Sequence, residues 1–147
     1  MHVEFATIAD IEPMADLLYE LFTLESDFRP ERAKQIAALQ WILDHPAHGR
    51  LFVAREGDKV VGMANALISI STAEGGPVLI LEDVILAASH RASGHGRRLV
   101  DHVLRWAAAE GMRRATLLAD RDNVAALAFY ERLGFEESAM VVRRKRL

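Results

Sequence analysis

Apolar positions change their spacing repeatedly along this chain, and each change marks an element. Ile11, Met14, Leu17, Leu18 and Leu21 recur at helical spacing, which predicts a helix over residues 10–22 with Asp10 as its cap. Pro13 falls in the first turn, where backbone amides lack intrahelical acceptors anyway. Residues 3–6 ahead of it read as a short strand. A second helix is predicted over residues 30–43, ending at the turn Asp44-His45-Pro46. Residues 51–55 and 59–69 are β-like runs on either side of Glu56-Gly57-Asp58, the pattern of a hairpin. A polar loop at residues 71–76 leads into residues 78–86, the strongest strand signal in the chain.

From Gly96 the period returns to helical, with Leu99, Val100, Val103, Leu104 and Ala107 on one side and Gly111 as the stop. A short strand over residues 115–119, a helix over residues 123–133 ended by Gly134, and a closing strand over residues 135–143 complete the reading. The order β-α-α-β-β-β-α-β-α-β belongs to a mixed α/β or α+β fold and departs from regular βαβ alternation. No repeat, low-complexity segment or linker divides the chain, so residues 1–147 are expected to form a single domain.

Composition narrows the function classes. Hydrophobic residues at 51% against 27% charged are the balance of a globular chain that buries one core. No apolar run approaches the roughly 20 residues that span a bilayer, and the first ten residues lack a basic-then-apolar signal pattern, so no membrane partner is expected. The chain contains no cysteine, which removes disulfides, thiolate metal sites and any acyl-cysteine chemistry and fits a cytoplasmic setting. A net charge of −3 argues against nucleic acid as the main partner. The charge is unevenly placed, however. His90, Arg91, His95, Arg97 and Arg98 form an acid-free stretch, and Arg143, Arg144, Lys145 and Arg146 make a basic end that reads as solvated.

That acid-free stretch holds the segment Arg91-Ala92-Ser93-Gly94-His95-Gly96, which follows a buried strand and opens a helix. A helix N-terminus offers unpaired N–H groups and the positive end of the helix dipole to an anion such as phosphate. Glycines let the backbone approach that anion without a Cβ in the way. Arg97 and Arg98 in the first helical turn are unfavourable by roughly 0.3–1 kcal/mol each unless an anion offsets them. Taken alone, the loop is as compatible with ordinary surface arginines beside a tight turn. A P-loop would follow its last glycine with Lys-Ser or Lys-Thr, where this chain has Arg97-Arg98. A dinucleotide loop would place a third glycine at Leu99 and start directly after the strand.

Arg91-x-x-Gly94-x-Gly96 after Leu81-Glu82-Asp83-Val84-Ile85-Leu86 resembles the coenzyme-A signature of the GNAT superfamily of N-acetyltransferases. A second motif, Asn123-x-x-Ala126-x-x-Phe129-Tyr130 ending in Leu133-Gly134-Phe135, resembles the helix that follows in that superfamily. The resemblance implies a mixed central sheet of about six strands flanked by about four helices, with acetyl-CoA as cosubstrate and no metal. It also implies that the amides of Ala92, Ser93, Gly94, His95, Gly96 and Arg97, together with Arg91, hold the cofactor's pyrophosphate. The strand around Val84, Ile85 and Leu86 would run beside the pantetheine arm, splayed from its neighbour to admit it, with Asn123 and Tyr130 contributing from the last helix. Ala92 stands where glycine or asparagine is common in such proteins. The segment after Gly134 is short, so a final strand found in many relatives is either missing or supplied by another subunit, the latter compatible with a homodimer.

Acetyl transfer to an amine requires a neutral nucleophile, a polarised carbonyl and a proton for the departing thiolate. Alkyl ammonium groups hold their proton to about pH 10, so a base or water relay helps at neutral pH. Glu82 is the candidate base. Strand alternation places it on one face with Val84, and Glu-Asp at this point also resembles the diamine acetyltransferase branch. Recognition of a cationic substrate is the competing role for Glu82. Asp83 is expected on the opposite face unless a bulge intervenes, with a structural hydrogen bond. Ala126, Phe129, Tyr130 and Leu133 have the spacing of a core stripe, whereas the resemblance implies that Tyr130 is the acid that protonates the thiolate. Glu25, Asp27 and Glu74 are weaker candidates for an acceptor site, and with Glu82 they suit a positively charged amine. His90 and His95 could touch phosphates or simply face solvent, and no grouping has metal-ligand spacing. The leading expectation is an acetyl-CoA-dependent N-acetyltransferase acting on a small cationic primary amine. Acetylation of a peptide or protein amine, and a non-catalytic acyl-CoA-binding module, are the rival readings.

Overall fold

The computed structural model of the protein describes residues 1–25 and 27–147. Strand β1 (His2–Phe5) is followed by helices α1 (Ile11–Leu24) and α2 (Arg32–Asp44). Strands β2 (Gly49–Glu56), β3 (Lys59–Ser71) and β4 (Gly76–Leu86) then run consecutively. Helix α3 (His95–Ala109), strand β5 (Ala115–Leu117) and helix α4 (Val124–Glu131) complete the regular structure. The sheet order is β1-β2-β3-β4-β5, antiparallel up to β4 and parallel between β4 and β5, with α3 as the crossover. This is the mixed α/β architecture expected. Among the described residues none of the helices is long and apolar enough to cross a membrane.

The sheet separates two apolar clusters. On one face α3 packs Leu99, Val100 and Val103 onto Phe52, Ala64, Leu79 and Leu81. On the other, Ile11, Met14, Leu17 and Leu18 of α1 and Leu39 of α2 cover Leu51, Val53, Met63 and Ile85. Burying a side chain such as Leu99 or Leu18 stabilises the fold by roughly 1.5–3 kcal/mol, so the helical and strand periods read in the sequence are the periods of these two faces. Gly62 of β3 lies close against β4. A Cβ there would lie 2.4 Å from Leu86 Cδ2 and 3.0 Å from the Ile85 carbonyl oxygen, closer than side chains pack.

Three local expectations are corrected. Asp10 does not cap α1 with its side chain. Its carboxylate turns back to accept from Thr7 N at 2.8 Å and Thr7 Oγ1 at 3.1 Å, and pairs with Arg55 Nη2 at 2.7 Å. A carboxylate only 3% exposed requires such partners. Residues 135–143 form no strand, so the described sheet has five strands rather than about six. Strand β5 spans only three residues, offering a short outer edge for pairing, and Met140 and Val141 remain 87% and 71% exposed. Without cross-strand partners a β-like run has too little to stabilise it. The third correction is a bulge in β4 and belongs to the site.

Candidate active site

Strand β4 carries the bulge. Asn65 pairs with Glu82 and Met63 with Ile85, so Asp83 and Val84 together oppose the single residue Ala64. Asp83 adopts a left-handed conformation at φ 51°, which costs roughly 1–3 kcal/mol in a non-glycine residue and is most tolerable for Asp or Asn. The insertion breaks the alternation on which Glu82 and Val84 were expected to share a face. Val84 packs with the α3-side cluster, while Glu82 lies opposite Asn65, whose side chain faces α1 and α2. Asp83 comes to that same face, where its Oδ2 accepts from Asn65 Nδ2 at 3.2 Å. The structural hydrogen bond expected of Asp83 is present, but beside Glu82 rather than across the sheet from it.

The bulge also marks where the sheet opens. The pairs between β4 and β5 are Leu79–Ala115, Ile80–Thr116 and Leu81–Leu117. Beyond Leu81, β4 continues through Val84, Ile85 and Leu86 while pairing only with β3 among the described residues. The side chains of Ile85 and Leu86 are buried, in the α1 and α3 clusters respectively, so contacts to an extended ligand here fall to the backbone of the open edge.

That edge leads to the glycine loop. Arg91 is anchored through Nε to the Leu86 carbonyl oxygen at 2.9 Å and pairs with Glu20. Ser93 Oγ donates to the His90 carbonyl at 2.8 Å. Ala92 and Gly94 both have positive φ, 59° and 80°, and with Gly94 the chain turns so that α3 starts pointing back at the loop. The bond from Arg98 N to Gly94 O is 3.2 Å, which leaves the amides of His95, Gly96 and Arg97 without intrahelical acceptors. Arg97 lies 3.4 Å from Asp101 one turn on, and no acid stands in the first turn. His90 is engaged on both ring nitrogens, by Ser89 at 2.8 Å and Glu56 at 3.0 Å. His95, whose ring centroid lies 6.0 Å from that of His90, has a buried Nδ1 with no partner among the described residues. An uncompensated set of donors with two nearby arginines and an orphaned imidazole nitrogen suits a polyanion such as pyrophosphate.

Helix α4 packs Phe129 against the α3-side cluster. Asn123 caps it, its Oδ1 accepting from Ala126 N at 3.1 Å, so this carbonyl is committed to the helix. Tyr130 packs edge-on against Phe129 and Phe135 at centroid distances of 5.1 and 5.7 Å. Burial, then the charge of Glu25, pushes its phenol up to about 12. Glu25 stands at the C-terminal end of α1 and is itself pushed up to about 7, by burial first and then by Asp83, Asp120, Glu82 and Asp27. Burial and Asp83 raise Glu82 as well, against the opposing effect of Arg144. Thus Glu25, Glu82, Asp83 and Tyr130, far apart in sequence, share one electrostatic neighbourhood at the bulge. Glu74 is not in it. Its amide bonds Ser71 Oγ within the β3–β4 turn, and its carboxylate lies 3.9 Å from Arg114.

Two open cavities adjoin this neighbourhood. One, of about 250 Å³, is lined by Leu18, Phe22, Ala38, Leu39 and Ile42 together with the polar Lys34, Gln35, Asn65 and Asp83. The other, of about 370 Å³, lies among Asp27, Phe28, Arg29, Glu31 and Arg146. Asp27 there pairs with Arg144 of the C-terminal segment at 2.9 Å, and Glu31 with Lys34 at 2.9 Å. Sequence reasoning passed over Asn65, although it is the one amide in the apolar run from Val60 to Ile68.

Comparison with known proteins accords with this geometry. The sequence model of the acetyltransferase (GNAT) family matches residues 12–135. N-acetyltransferase family 8 member 2 of Rattus norvegicus is 30% identical over 92 residues, covering 63% of this chain and 41% of that protein. The chain spans less than half the length of that protein and of three other curated N-acetyltransferases it matches. Among solved structures, an integron cassette protein from the mobile metagenome of Cole Harbour Salt Marsh superposes with a TM-score of 0.86 at 25% identity, covering 99% of this chain and 90% of the other. Aminoglycoside N-acetyltransferase AAC(6')-Iy in complex with CoA superposes with a TM-score of 0.83 over 99% of this chain and 93% of its own, a likeness at 22% identity that bears on the fold alone. With the family's sequence model matching from α1 to just beyond α4, the chain belongs to the acetyltransferase (GNAT) family.

Proposed function

We propose that this chain transfers an acetyl group from acetyl-CoA directly to the primary amine of a small cationic molecule. The observation that carries this reading is the electrostatic chain from Tyr130 to Glu25 and from Glu25 to Glu82 and Asp83, the last two lying just past the final β4–β5 pair. Acetyl-CoA supplies the activated acyl group. Arg91, Ser93, Gly94, His95, Gly96 and Arg97 would hold its pyrophosphate through the donors described above, with Ala92 shaping the turn. The open edge of Val84, Ile85 and Leu86 would receive its arm, and Asn123 would line the far side through α4.

The carboxylates draw in an ammonium group and take its proton. Glu25, held at about 7, exchanges a proton at neutral pH and is assigned as the base, with Glu82 holding the cation beside it. The amine nitrogen then forms the C–N bond as the C–S bond breaks. Tyr130 gives its proton to the departing sulfur and is restored from the proton the nitrogen sheds. One proton leaves to solvent per ammonium acetylated. Thiol detection with acetyl-CoA and a panel of primary amines tests the reading. Amine-dependent release of free CoA is the expected result, and acetyl-CoA binding without turnover for any amine or peptide would favour a binding module instead.

A further inference from the structure

We propose that Asn65 is a positioning residue for the proton transfer: its amide holds the Asp83 carboxylate, as a charge, on the face of β4 that carries Glu82 and within electrostatic range of Glu25. This deepens the reading above and rests on it for the role of Glu25 as base. Asn65 is 5% exposed, and its cross-strand partners are Leu51 on β2 and Glu82 on β4. Leu51, Met63 and Ile85 around it are buried and apolar, so an amide here gains little for the fold. Its Oδ1 is buried with no partner among the described residues, a cost that an apolar side chain would avoid. The hydrogen bond it does make goes to one place. Nδ2 donates to Asp83 Oδ2 at 3.2 Å, and among the described residues it is the one hydrogen-bond donor that this carboxylate has. Asp83 needs a donor because the bulge, with φ 51° at this residue, brings it onto the α1–α2 face beside apolar side chains.

The charge held in this way reaches the base. Burial raises the Asp83 carboxyl and the Asn65 amide lowers it, so the amide is what favours the ionised form. Glu25 is raised by burial first and then by Asp83, ahead of Asp120, Glu82 and Asp27. The cations nearby are engaged elsewhere: Lys34 of α2, which lines the same cavity as Asn65 and Asp83, pairs with Glu31 at 2.9 Å, and Arg144 pairs with Asp27 at 2.9 Å. The influence of Asn65 therefore runs from β3 through Asp83 to the end of α1. Its sign follows. Without the amide, Asp83 keeps its proton to higher pH, repels the Glu25 carboxylate less, and lets Glu25 ionise at lower pH. The rising limb of kcat/KM then moves to lower pH, whereas loss of a residue that only packs would leave the limb where it is.

The test combines pH–rate profiles with a readout that needs no turnover. Asn65→Leu removes the donor with little change of shape, and Asn65→Val, shorter and suited to a strand, replaces it if the first variant fails to fold. Asp83→Asn removes the charge while keeping an acceptor for the amide and a residue type that tolerates the left-handed backbone. With Glu25 at about 7, kcat/KM at pH 6 is about one tenth of its plateau in the wild type. That ratio should at least double in Asn65→Leu, change at least as much in Asp83→Asn, and change no further in the double variant than in Asp83→Asn alone. Carboxyl-carbon NMR titration, with signals assigned through Asp83→Asn and Glu25→Gln, should show Asp83 moving to higher pH and Glu25 to lower pH in Asn65→Leu. An Asp83 titration that ignores Asn65→Leu, or effects of the two substitutions that simply add, overturns the inference. Carboxyl signals that move as stated while the kcat/KM limb stays fixed, or while no amine is turned over, would uphold the link from Asn65 to Glu25 and sink the base assignment separately.

Discussion

Replacing Tyr130 by phenylalanine removes one proton donor and leaves the ring packed against Phe129 and Phe135. Burial and the Glu25 carboxylate hold the phenol at about 12, about two units above its reference, so ionising it costs about 3 kcal/mol more than ionising a solvated tyrosine. An acid works while protonated, so its contribution is fully present at neutral pH and lost only as pH rises through about 12. Set against a thiol reference of about 8.5, complete transfer to a solvated thiolate would run uphill by roughly 3.5 units. The surroundings that keep the phenol protonated also raise the proton affinity of a thiolate formed beside it, which narrows the gap. Tyr130 should therefore act as a donor whose hydrogen bond strengthens as charge develops on sulfur. Its removal is expected to lower kcat by about 10²-fold, the low end for a general acid and about 3 kcal/mol of barrier. Calorimetric affinity for acetyl-CoA and the melting temperature should hold.

The premise has its own assay. The chain has two tyrosines, so in a Tyr19→Phe background the near-ultraviolet titration of phenolate reports Tyr130 alone. Its midpoint should lie well above the reference of about 10, and Glu25→Gln should bring it down by removing the nearby charge. Wild-type turnover in Tyr130→Phe would return this residue to the core. A phenol that titrates at the reference value whether or not Glu25 is charged would refute the electrostatic argument.

Three further outcomes are expected. A base must be ionised, so kcat/KM should climb with pH through about 7, the value of Glu25. Glu25→Gln should abolish that limb, whereas Glu82→Gln should keep it, shift it downward and raise the amine KM; the opposite pattern would give the base role to Glu82. Gly94→Glu should weaken acetyl-CoA binding at least 50-fold by putting negative charge where the loop donors point, while Gly94→Ala, which carries only the cost of φ 80°, should weaken it far less. Equal losses in both would make the effect conformational. Arg144 is paired with Asp27 and lies over Phe28 at 5.4 Å, and it opposes the rise of Glu82. Arg144→Ala should lower the KM for cationic amines two- to fivefold, as suits an exposed pair worth under about 1 kcal/mol, and an unchanged or higher KM would count against it.

Elements whose apolar faces make the core were legible in the sequence. The stripe from Ile11 through Leu21 is the α1 face on the sheet, and Leu99, Val100 and Val103 form the face of α3. The glycine loop was legible because its chemistry is local: two left-handed turn positions and a helix start lie within six residues. Features that depend on a partner elsewhere were not. Residues 135–143 have the composition of a strand, yet a strand exists only where an edge accepts it. Asp10 looked like a cap because Arg55, its partner across 45 positions, is invisible to local pattern. Glu25 looked marginal because nothing in its own segment shows that Asp83, Asp120 and Glu82 converge on it.

The bulge is the clearest case, because a single inserted residue sets several properties of the site together. Alternation along residues 78–86 cannot register it, since the extra residue exists only relative to the pairing of Asn65 with Glu82 and Met63 with Ile85. Once there, it reverses the phase of the strand. Val84 and Leu86 turn to the α3 side, Ile85 to α1, and Glu82 and Asp83 stay together on the face where Asn65 and Glu25 wait. A regular strand would have sent Asp83 to the α3 side, among the apolar side chains of that cluster. The left-handed backbone at Asp83 costs roughly 1–3 kcal/mol, and its hydrogen bond from Asn65 returns about 1–3, so the bulge is near neutral for stability. What it changes is placement: it keeps Asp83 on the face of Glu82, the two residues directly beyond the last β4–β5 pair at Leu81.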